Sequence, residues 1–600
     1  MRSIFNPARL CLPLAILLIS STHVSALDCD GGWRLKFTLD AEDASKEVNE
    51  LLRSVSNLQA KNEQCFRSLT LLDNQIEQDR DLFMRALRSE GYYAALIDET
   101  SSPSGSVLAI TMRVFAGQPY LFSKPTVNWQ DGMDSELAEK TLQRLSKIMK
   151  AQTRARSTVV LAAEDFLTSE IAEAGYPFAE SGSRQVIVDH ALETVAVTYI
   201  IDPGPRTRYG DLELEGTEHI QQSVLERLQP FDKGDLVKRS ELGIYQKRLQ
   251  DTALFKTVQV SVEPPSGDVA NSKVLIKAEE APARRFDVGG GFSTGQGLEA
   301  EFGWRHRNFL GRGQIASAQL NLGERVQTLE GGWRSPHFKR YDQALLITGK
   351  VGHEDFDAYN ALLAEGYVGL ERPLSKRLKA SLGVRGEMTE ITLDTGGKDT
   401  FLLAGLPFGV VYDSSDSLFD PTKGTRLALR LEPLISVIDG RDKFLINEIK
   451  ASHYWKFGDE RPVVLAVRGR LGSILGQGSE RMPASERFYA GGGGSVRGFG
   501  YQQLGPLSET GAPIGGKSVV ETAVELRARI SESISLVGFV DAGTVSRNKI
   551  PTLTDYRFGT GVGFRYHTPI APIRFDVATP LGRREGESPI AIYLGIGQSF

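Results

Sequence analysis

Cysteine is nearly absent from this chain, which has three in 600 residues. Cys11 lies in an apolar segment at the N-terminus, so Cys29 and Cys65 remain as a pair in the rest of the chain. Their spacing fits none of the patterns typical of zinc sites. In an oxidising compartment an even pair predicts a disulfide, which would tie the mature N-terminus to the first domain. The alternative is two unpaired thiols.

The chain also lacks the marks of several large function classes. Beyond the N-terminus no apolar run reaches the roughly 18 residues that a membrane-spanning helix needs. The net charge of −5 gives no reason to expect nucleic acid as a partner. We find no H-x-x-x-H pair of the kind that holds zinc in metalloproteases. We therefore expect a protein that is not an enzyme and has no catalytic residues, cofactor or metal.

The N-terminus has the three parts of a secretory signal. Arg2 and Arg9 are positive, Leu10–Ile19 is a short apolar stretch, and residues 24–26 read Val-Ser-Ala, a small-x-small cleavage site. This order predicts a signal peptide over residues 1–26 and an exported mature chain. The alternative is a membrane anchor, for which the apolar stretch is short.

The first half of the mature chain is repetitive. A pattern of one strand, two helices and a pair of strands occurs three times, and a helix ends at Gly91-Tyr92 in one unit and at Gly175-Tyr176 in the next. Such repeats predict separate α+β units in a row. We place their boundaries at 27–117, 118–203 and 204–281. An exposed sheet edge in each unit is suited to accept an extended segment of another chain, and the alternative is a simple spacer.

The helical period disappears in the second half, residues 285–600. Apolar and polar residues alternate there, as where Val524 and Leu526 oppose Glu525 and Arg527. A soluble sandwich gives this alternation with its apolar face inward, whereas an outer-membrane barrel turns that face to lipid and its charged face to a wet lumen. The many charges, the length of the region and the terminal aromatic residue favour the barrel. We predict three α+β repeats followed by a 16-stranded antiparallel transmembrane β-barrel.

One long loop, predicted at 472–515, interrupts the alternating strands. It contains Gly-Gly-Gly-Gly-Ser-Val-Arg-Gly-Phe-Gly at 491–500 and several aromatic residues. A loop of this length in a compact domain is usually functional or disordered. Its aromatic rings would gain from burial, so we predict a folded loop that docks Arg497.

Three motifs together resemble the BamA/TamA superfamily of outer-membrane assembly and transport proteins. They are Val496-Arg497-Gly498-Phe499, Asn-Phe-Leu-Gly-Arg-Gly at 308–313 and Gly-Phe-Val-Asp-Ala-Gly at 538–543. The resemblance covers essentially the whole mature chain. It implies that the repeats are POTRA domains in the periplasm and that the barrel lies in the outer membrane. The number of repeats, three, resembles that of the TamA branch, the translocation and assembly module. This resemblance implies autotransporter-type clients and a TamB-like partner anchored in the inner membrane.

The resemblance also implies partners for the loop arginine. In this family the sixth extracellular loop folds into the lumen, and its arginine contacts acids on nearby strands. By motif Arg497 corresponds to that arginine, Asp541 to the acid of F-x-D-x-G and Glu525 to an additional acid. Strand alternation agrees, because it places both acids on polar faces. The alternative is a solvated arginine with unrelated acids. The resulting loop lock is Val496, Arg497, Gly498, Phe499, Glu525 and Asp541.

Glycines concentrate in the strands that must meet when the barrel closes. They are Gly289, Gly290, Gly291, Gly595 and Gly597. Glycine weakens a strand, so we expect a lateral seam that opens to client strands; the alternative is that these glycines only make room in the lumen. The ending Ile-Gly-Gln-Ser-Phe, closed by Phe600, resembles the C-terminal signal by which barrels are recognised for insertion.

The leading hypothesis is an insertion or translocation factor that acts on outer-membrane protein clients through this seam. The alternative is a two-partner-secretion-like transporter or a gated channel. A loop that fills the lumen and the presence of three repeats argue against a passive channel.

Overall fold

The computed structural model describes most of the chain after residue 28. The described residues are 29, 32–41, 43–130, 132–265, 271–392, 397–438, 442–477, 482–569 and 571–600. The predicted signal peptide lies outside them. Within them, no helix is both long and apolar enough to cross a membrane. The chain divides into two compact units: one contains the first two repeats with short segments of the third, and the other contains the rest of the third repeat and the barrel.

The first repeat packs helices on a four-stranded sheet. Its elements are β1 (Trp33–Asp40), α1 (Lys46–Val55), α2 (Asn57–Ala60), β2 (Cys65–Phe66), α3 (Leu69–Ser89), β3 (Leu96–Ser104) and β4 (Val107–Phe115). The strand order is β2-β1-β4-β3, with β1 parallel to β4. Alternate residues of β1, Leu35 and Phe37, are buried with Phe83 of α3. Cys29 and Cys65 form a disulfide with their Cα atoms 5.6 Å apart.

The second repeat is built around one central strand. Its elements are β5 (Leu121–Phe122), β6 (Thr126–Trp129), α4 (Ser135–Ile148), α5 (Ser157–Ala172), β7 (Glu180–Ser181), β8 (Gln185–Asp189) and β9 (Thr194–Asp202). All four other strands pair with β9. Val195, Val197 and Tyr199 of β9 alternate into the core, where the Tyr199 hydroxyl donates to the Val160 carbonyl at 3.0 Å.

The third repeat is a smaller unit of three strands and two helices. Its elements are β10 (Arg208–Glu215), α6 (Gln222–Leu228), α7 (Arg239–Asp251), β11 (Phe255–Val262) and β12 (Asn271–Glu280). The strand order is β10-β12-β11. Tyr245 of α7 is buried, and its hydroxyl donates to the Leu225 carbonyl at 3.1 Å.

The second half forms a closed antiparallel barrel. Its first strands are β13 (Arg284–Ser293), β14 (Gly297–Arg307), β15 (Ile315–Gly323), β16 (Val326–Ser335), β17 (Ala344–Phe356), β18 (Tyr359–Pro373), β19 (Leu378–Thr392), β20 (Lys398–Gly405) and β21 (Phe408–Asp413). The others are β22 (Gly424–Ser436), β23 (Lys443–Phe457), β24 (Val463–Gln477), β25 (Ser518–Arg529), β26 (Ile534–Ser546), β27 (Arg557–Tyr566), β28 (Ile573–Leu581) and β29 (Ala591–Ile596).

The segments β20 and β21 are two halves of one barrel strand. Both pair with β19 on one side and β22 on the other. The break between them falls at Leu406-Pro407, where proline cannot donate to the ladder. The barrel therefore has sixteen strands, which confirms the prediction. Its apolar side chains face outward: Val524 and Leu526 are exposed, whereas Glu525 and Arg527 are buried in the lumen.

Two predicted boundaries in the barrel are wrong. The long loop does not begin at residue 472, because Leu445 pairs with Leu475 and Ser473 pairs with Ser518, which extends β24 to Gln477. We call residues 482–517, the part of the connection that the structure describes, the inner loop. The last strand also ends early, at Ile596, and does not include Gly597 as predicted.

The C-terminus leaves the barrel wall at a glycine. Gly597 follows β29 and has φ +89°, a left-handed conformation that other residues adopt at a cost. The chain then turns inward, and the ring of Phe600 stacks near Tyr454 with centroids 6.4 Å apart. Gly597 was predicted to lie in the last strand and instead lies just beyond it. Phe600 occupies the lumen and not the outer wall.

Candidate functional site

Arg497 of the inner loop lies inside the barrel and is fully buried. Its guanidinium forms a bidentate contact with Asp541 of β26: Nε lies 2.7 Å from Oδ2 and Nη2 lies 2.8 Å from Oδ1. The backbone N–H of Arg497 also donates to Asp541 Oδ2, at 3.0 Å. A paired contact of this kind fixes orientation as well as charge. Asp541 therefore holds both the side chain and the backbone of the loop.

Two further carboxylates surround the same guanidinium. Arg497 Nη1 lies 2.7 Å from Glu525 Oε1 on β25 and 3.2 Å from Asp576 Oδ2 on β28. All three carboxylates are buried. We call these four residues the Arg497 cluster. Because a buried ion is costly when it is unpaired, each member of the cluster depends on the others.

Two arginines of the barrel wall offset the remaining negative charge. Arg527 Nε lies 2.8 Å from Glu525 Oε2, and Arg565 pairs with Asp576. Arg527 Nη2 also lies 3.2 Å from the backbone oxygen of Phe600. The inner loop and the C-terminal residues are thus held by one network of charges.

Glycines permit the close approach of the loop to the wall. A Cβ atom added at Gly559 of β27 would lie 1.9 Å from the Arg497 carbonyl oxygen, so no larger residue fits beside the docked arginine. Gly498 has φ +97°, and its N–H donates to the Tyr593 hydroxyl at 3.1 Å. Glycine is therefore required by geometry on both sides of the contact, at Gly498 in the loop and at Gly559 in the wall.

Apolar and aromatic groups enclose the cluster. Val496 and Phe499 are buried on either side of Arg497 and Gly498. The guanidinium carbon of Arg497 lies 3.5 Å from the ring centroid of Phe539, a cation–π contact. Burial among these groups keeps water from competing for the ion pairs, which strengthens them.

The rest of the inner loop is fastened to other strands. Arg468 of β24 donates to the carbonyl oxygens of Gly494 and Ser495. On a different part of the wall, Arg385 of β19 lies 2.8 Å from the loop carboxylate Glu486. The loop is thus held by a wall carboxylate at Arg497 and by a wall arginine at Glu486, which explains why so long a loop is folded.

The seam between the first and last strands is short. Only Phe292–Leu594 and Ser293–Tyr593 are paired between β13 and β29 in the part of the chain that the structure describes. By contrast β13 forms ten register pairs with β14. Tyr593, which closes the seam, is the residue whose hydroxyl receives the Gly498 N–H. The Arg497 cluster and the seam therefore meet at one side chain.

The structure brings most of the predicted site residues together. Val496, Arg497, Gly498, Phe499, Glu525 and Asp541 surround the docked loop. Gly289, Gly290 and Gly291 lie in β13, and Gly595 lies in β29, near the seam. Sequence reasoning missed Asp576 and Tyr593. Asp576 was within reach, because it alternates with the outward-facing Phe575 in β28, but nothing in the sequence marks Tyr593.

Among the described residues, no group of three or more histidines, cysteines, aspartates or glutamates is arranged to hold a metal ion. The buried carboxylates of the Arg497 cluster are all directed at guanidinium groups. Their arrangement can hold a loop in place and release it by breaking ion pairs.

Comparisons with known proteins show which proteins this chain is similar to. Residues 308–600 match the family model of the Omp85 superfamily domain. The chain is similar to outer membrane protein assembly factor BamA of Nitratidesulfovibrio vulgaris, with 25% identity over 88% of this chain and 68% of that protein. It is also similar to the protein of the same name from Neisseria meningitidis serogroup B, with 21% identity over 89% and 74%.

A solved structure shares the fold. It is BamA from Haemophilus ducreyi lacking POTRA domains 1–3, with a TM-score of 0.67 and 20% identity, and the match covers 80% of this chain and 100% of that one. At this identity the likeness concerns the fold: α+β units followed by a closed barrel.

Proposed function

We propose that this chain, whose residues 308–600 form an Omp85 superfamily domain, is an outer-membrane factor that inserts or translocates β-barrel proteins. The observation that carries the proposal is the short seam, where two register pairs join β13 to β29. A closed barrel in lipid normally satisfies its backbone groups between strands. A seam this short leaves most of the edge of β13 available for another strand.

In the proposed mechanism a client strand pairs with the free edge of β13. Arg284 to Gly291 have register partners in β14 but none in β29 among the described residues. An extended segment that adds to such an edge gains main-chain hydrogen bonds in a medium that offers no water to replace them. The client would thus exchange solvent or chaperone contacts for a growing antiparallel ladder. The Arg497 cluster holds the inner loop in the lumen while this occurs.

The finer assignments belong to the same proposal. Three repeats support a TamA-like role with autotransporter-type clients and a TamB-like inner-membrane partner, although the named relatives are BamA proteins. In this orientation the repeats are POTRA domains in the periplasm, and the signal peptide delivers the chain there. The protein acts by binding and strand exchange, not as an enzyme.

Site-specific crosslinking to a client tests the proposal. Phe286 of β13 is exposed on the outer face, and a photoreactive phenylalanine analogue at this position should crosslink to an autotransporter-type client during its assembly. Phe564 of β27 is also exposed and gives the matched control, because it pairs with Leu536 of β26 on one side and with Phe575 of β28 on the other. Equal crosslinking at both positions, or none at Phe286, would contradict the proposal. Steady ion conductance without client crosslinks would instead support the channel alternative.

A further inference from the structure

A cavity of about 710 Å³ lies where the third repeat meets the foot of the β13–β14 hairpin. It is lined by residues of the repeat and of the connection to the barrel, including His219, Leu254 and Pro282. The hairpin contributes Arg284 and His306, which we call the rim. All of these residues belong to one compact unit. The mechanism proposed for client strands uses the backbone edge of β13 and not the side chains that line this cavity.

The strand register places the rim on the lipid-facing side of the barrel. Arg284 is paired with His306, and the next outward pair is Phe286 with Trp304. Phe286 is 72% exposed, as expected of a side chain that contacts acyl chains. Alternation puts Arg284 and His306 on this same outer face, one step nearer the end of the barrel.

An aromatic group fixes the depth of the cavity in the bilayer. The rings of Trp304, His306 and Phe309 contact one another, with His306 and Phe309 centroids 5.6 Å apart. Aromatic girdles of outer-membrane barrels lie at the level of the lipid headgroups. Arg284 and His306 therefore face the headgroup layer on the side of the repeats.

Two polar groups on the rim are available to an anion. No carboxylate pairs with Arg284 among the described residues, and Nδ1 of His306 is buried without a hydrogen-bond partner. The acid that lines the cavity, Glu280, already accepts bonds from the backbone N–H groups of Glu218 and His219 and from the His219 ring. Burial opposes its ionisation, but these bonds hold the pKa of Glu280 below its usual value. Both carboxylate oxygens of Glu280 thus accept hydrogen bonds within the third repeat.

We propose that this cavity binds the headgroup of an anionic phospholipid, with the phosphodiester between Arg284 and His306 and the acyl chains along Phe286 and Phe309. A membrane-embedded rim with an unpaired cation is complementary to a lipid phosphate. The site requires only that the barrel lies in a bilayer and does not depend on client insertion. In the proposed orientation the lipid belongs to the periplasmic leaflet and lies against the part of β13 that has no partner in β29.

Native mass spectrometry of the full chain, released from nanodiscs of phosphatidylglycerol and phosphatidylethanolamine, tests the site. We expect retained phosphatidylglycerol in excess of phosphatidylethanolamine, and about tenfold less of it in the Arg284→Gln/His306→Phe variant, the factor expected when a charge-assisted contact is lost. Arg377→Gln changes an exposed arginine of the turn between β18 and β19 and should retain as much lipid as the unmodified protein.

Three outcomes would overturn the site. One is equal retention by the double variant and the unmodified protein, and another is no preference for phosphatidylglycerol. The third is displacement of the lipid by soluble glycerophosphate at equal concentration, which would show an anion site that does not need acyl chains. Because the readout is bound lipid, a failure here leaves client crosslinking at Phe286 unaffected.

Discussion

Two walls of the same barrel are closed to very different extents. β23 and β24 share fifteen register pairs along their whole length, whereas β13 and β29 share two. Each backbone hydrogen bond contributes about 1 kcal/mol net in water and more where no water can replace it. Stability is therefore concentrated away from the seam. The difference shows that closure of the barrel depends on more than its backbone ladder.

The Arg497 cluster holds the inner loop against the strands on the β29 side of the seam. It joins the inner loop to β25, β26 and β28, and the Tyr593 hydroxyl links the loop to β29 itself. On β19, which shares fourteen register pairs with β18, the loop contact of Arg385 with Glu486 adds to an extensive ladder. We therefore expect loop contacts to contribute more to closure near the seam than on extensively paired strands.

Removing the central arginine should have the largest effect. Arg497→Ala leaves three buried carboxylates without their shared cation, and breaking a buried pair costs about 3–5 kcal/mol. We expect a lower urea midpoint and proteolysis within the inner loop; Asp541→Ala should behave similarly. Arg583→Ala, in an exposed loop, is the control. A wild-type midpoint and intact loop in Arg497→Ala would show that the cluster does not hold the loop.

A larger residue in the barrel wall beside Arg497 should have the next largest effect. Gly559→Ala places a methyl group against the Arg497 carbonyl oxygen and should destabilise the docked loop by about 1–3 kcal/mol, the usual cost of overpacking. Gly538→Ala on the neighbouring strand meets nothing within 4 Å and should be silent in the same urea titration. If both variants unfold at the same concentration, the close approach at Gly559 has no energetic weight.

Removal of the Tyr593 hydroxyl, which links the Arg497 cluster to the seam, should have a smaller effect. Tyr593→Phe removes the acceptor of the Gly498 N–H and keeps the ring, which should cost about 1 kcal/mol. Because Tyr593 also pairs with Ser293, we expect faster hydrogen exchange in β29 but not in β24. Tyr566→Phe, whose side chain is exposed on the outer face, is the control. Unchanged hydrogen exchange in β29 would show that the loop contact does not stabilise the seam.

Amide exchange in the unmodified protein should already differ between the seam strands and the strongly paired strands, although this is the smallest of the expected effects. Local opening is easiest where few contacts and few backbone bonds hold a segment. We expect amide exchange in β29 and in residues 284–291 to precede exchange in β23 and β24. Uniform protection of all four strands would indicate that the short seam does not open in solution.

The sequence predicted the strongly patterned parts of this molecule well. Alternation identified the sixteen strands and the inward orientation of Asp541, because successive side chains of a strand point to opposite faces of the sheet. The loop boundary was less predictable. Gly472 resembles a loop residue, yet it lies in β24, where its missing side chain leaves room for the Phe488 ring.

The seam and the C-terminus could not be predicted from local patterns. Whether β13 pairs with β29 over two residues or ten depends on a contact between strands some 300 residues apart in sequence. Similarly, nothing near Phe600 indicates that it stacks on Tyr454 inside the lumen. Such features follow from the closure of the whole barrel and not from the residues of one segment.

The most direct test of the central claim is to lock each wall in turn and measure client insertion. Phe292→Cys/Leu594→Cys joins a register pair across the seam, and Ile449→Cys/Leu471→Cys joins a pair of similarly exposed residues across β23 and β24. With purified protein in liposomes, we predict that oxidation of the seam pair abolishes insertion of a β-barrel client and that reduction restores it, while the wall pair inserts normally in both states. Normal insertion with the seam fully crosslinked would contradict the account.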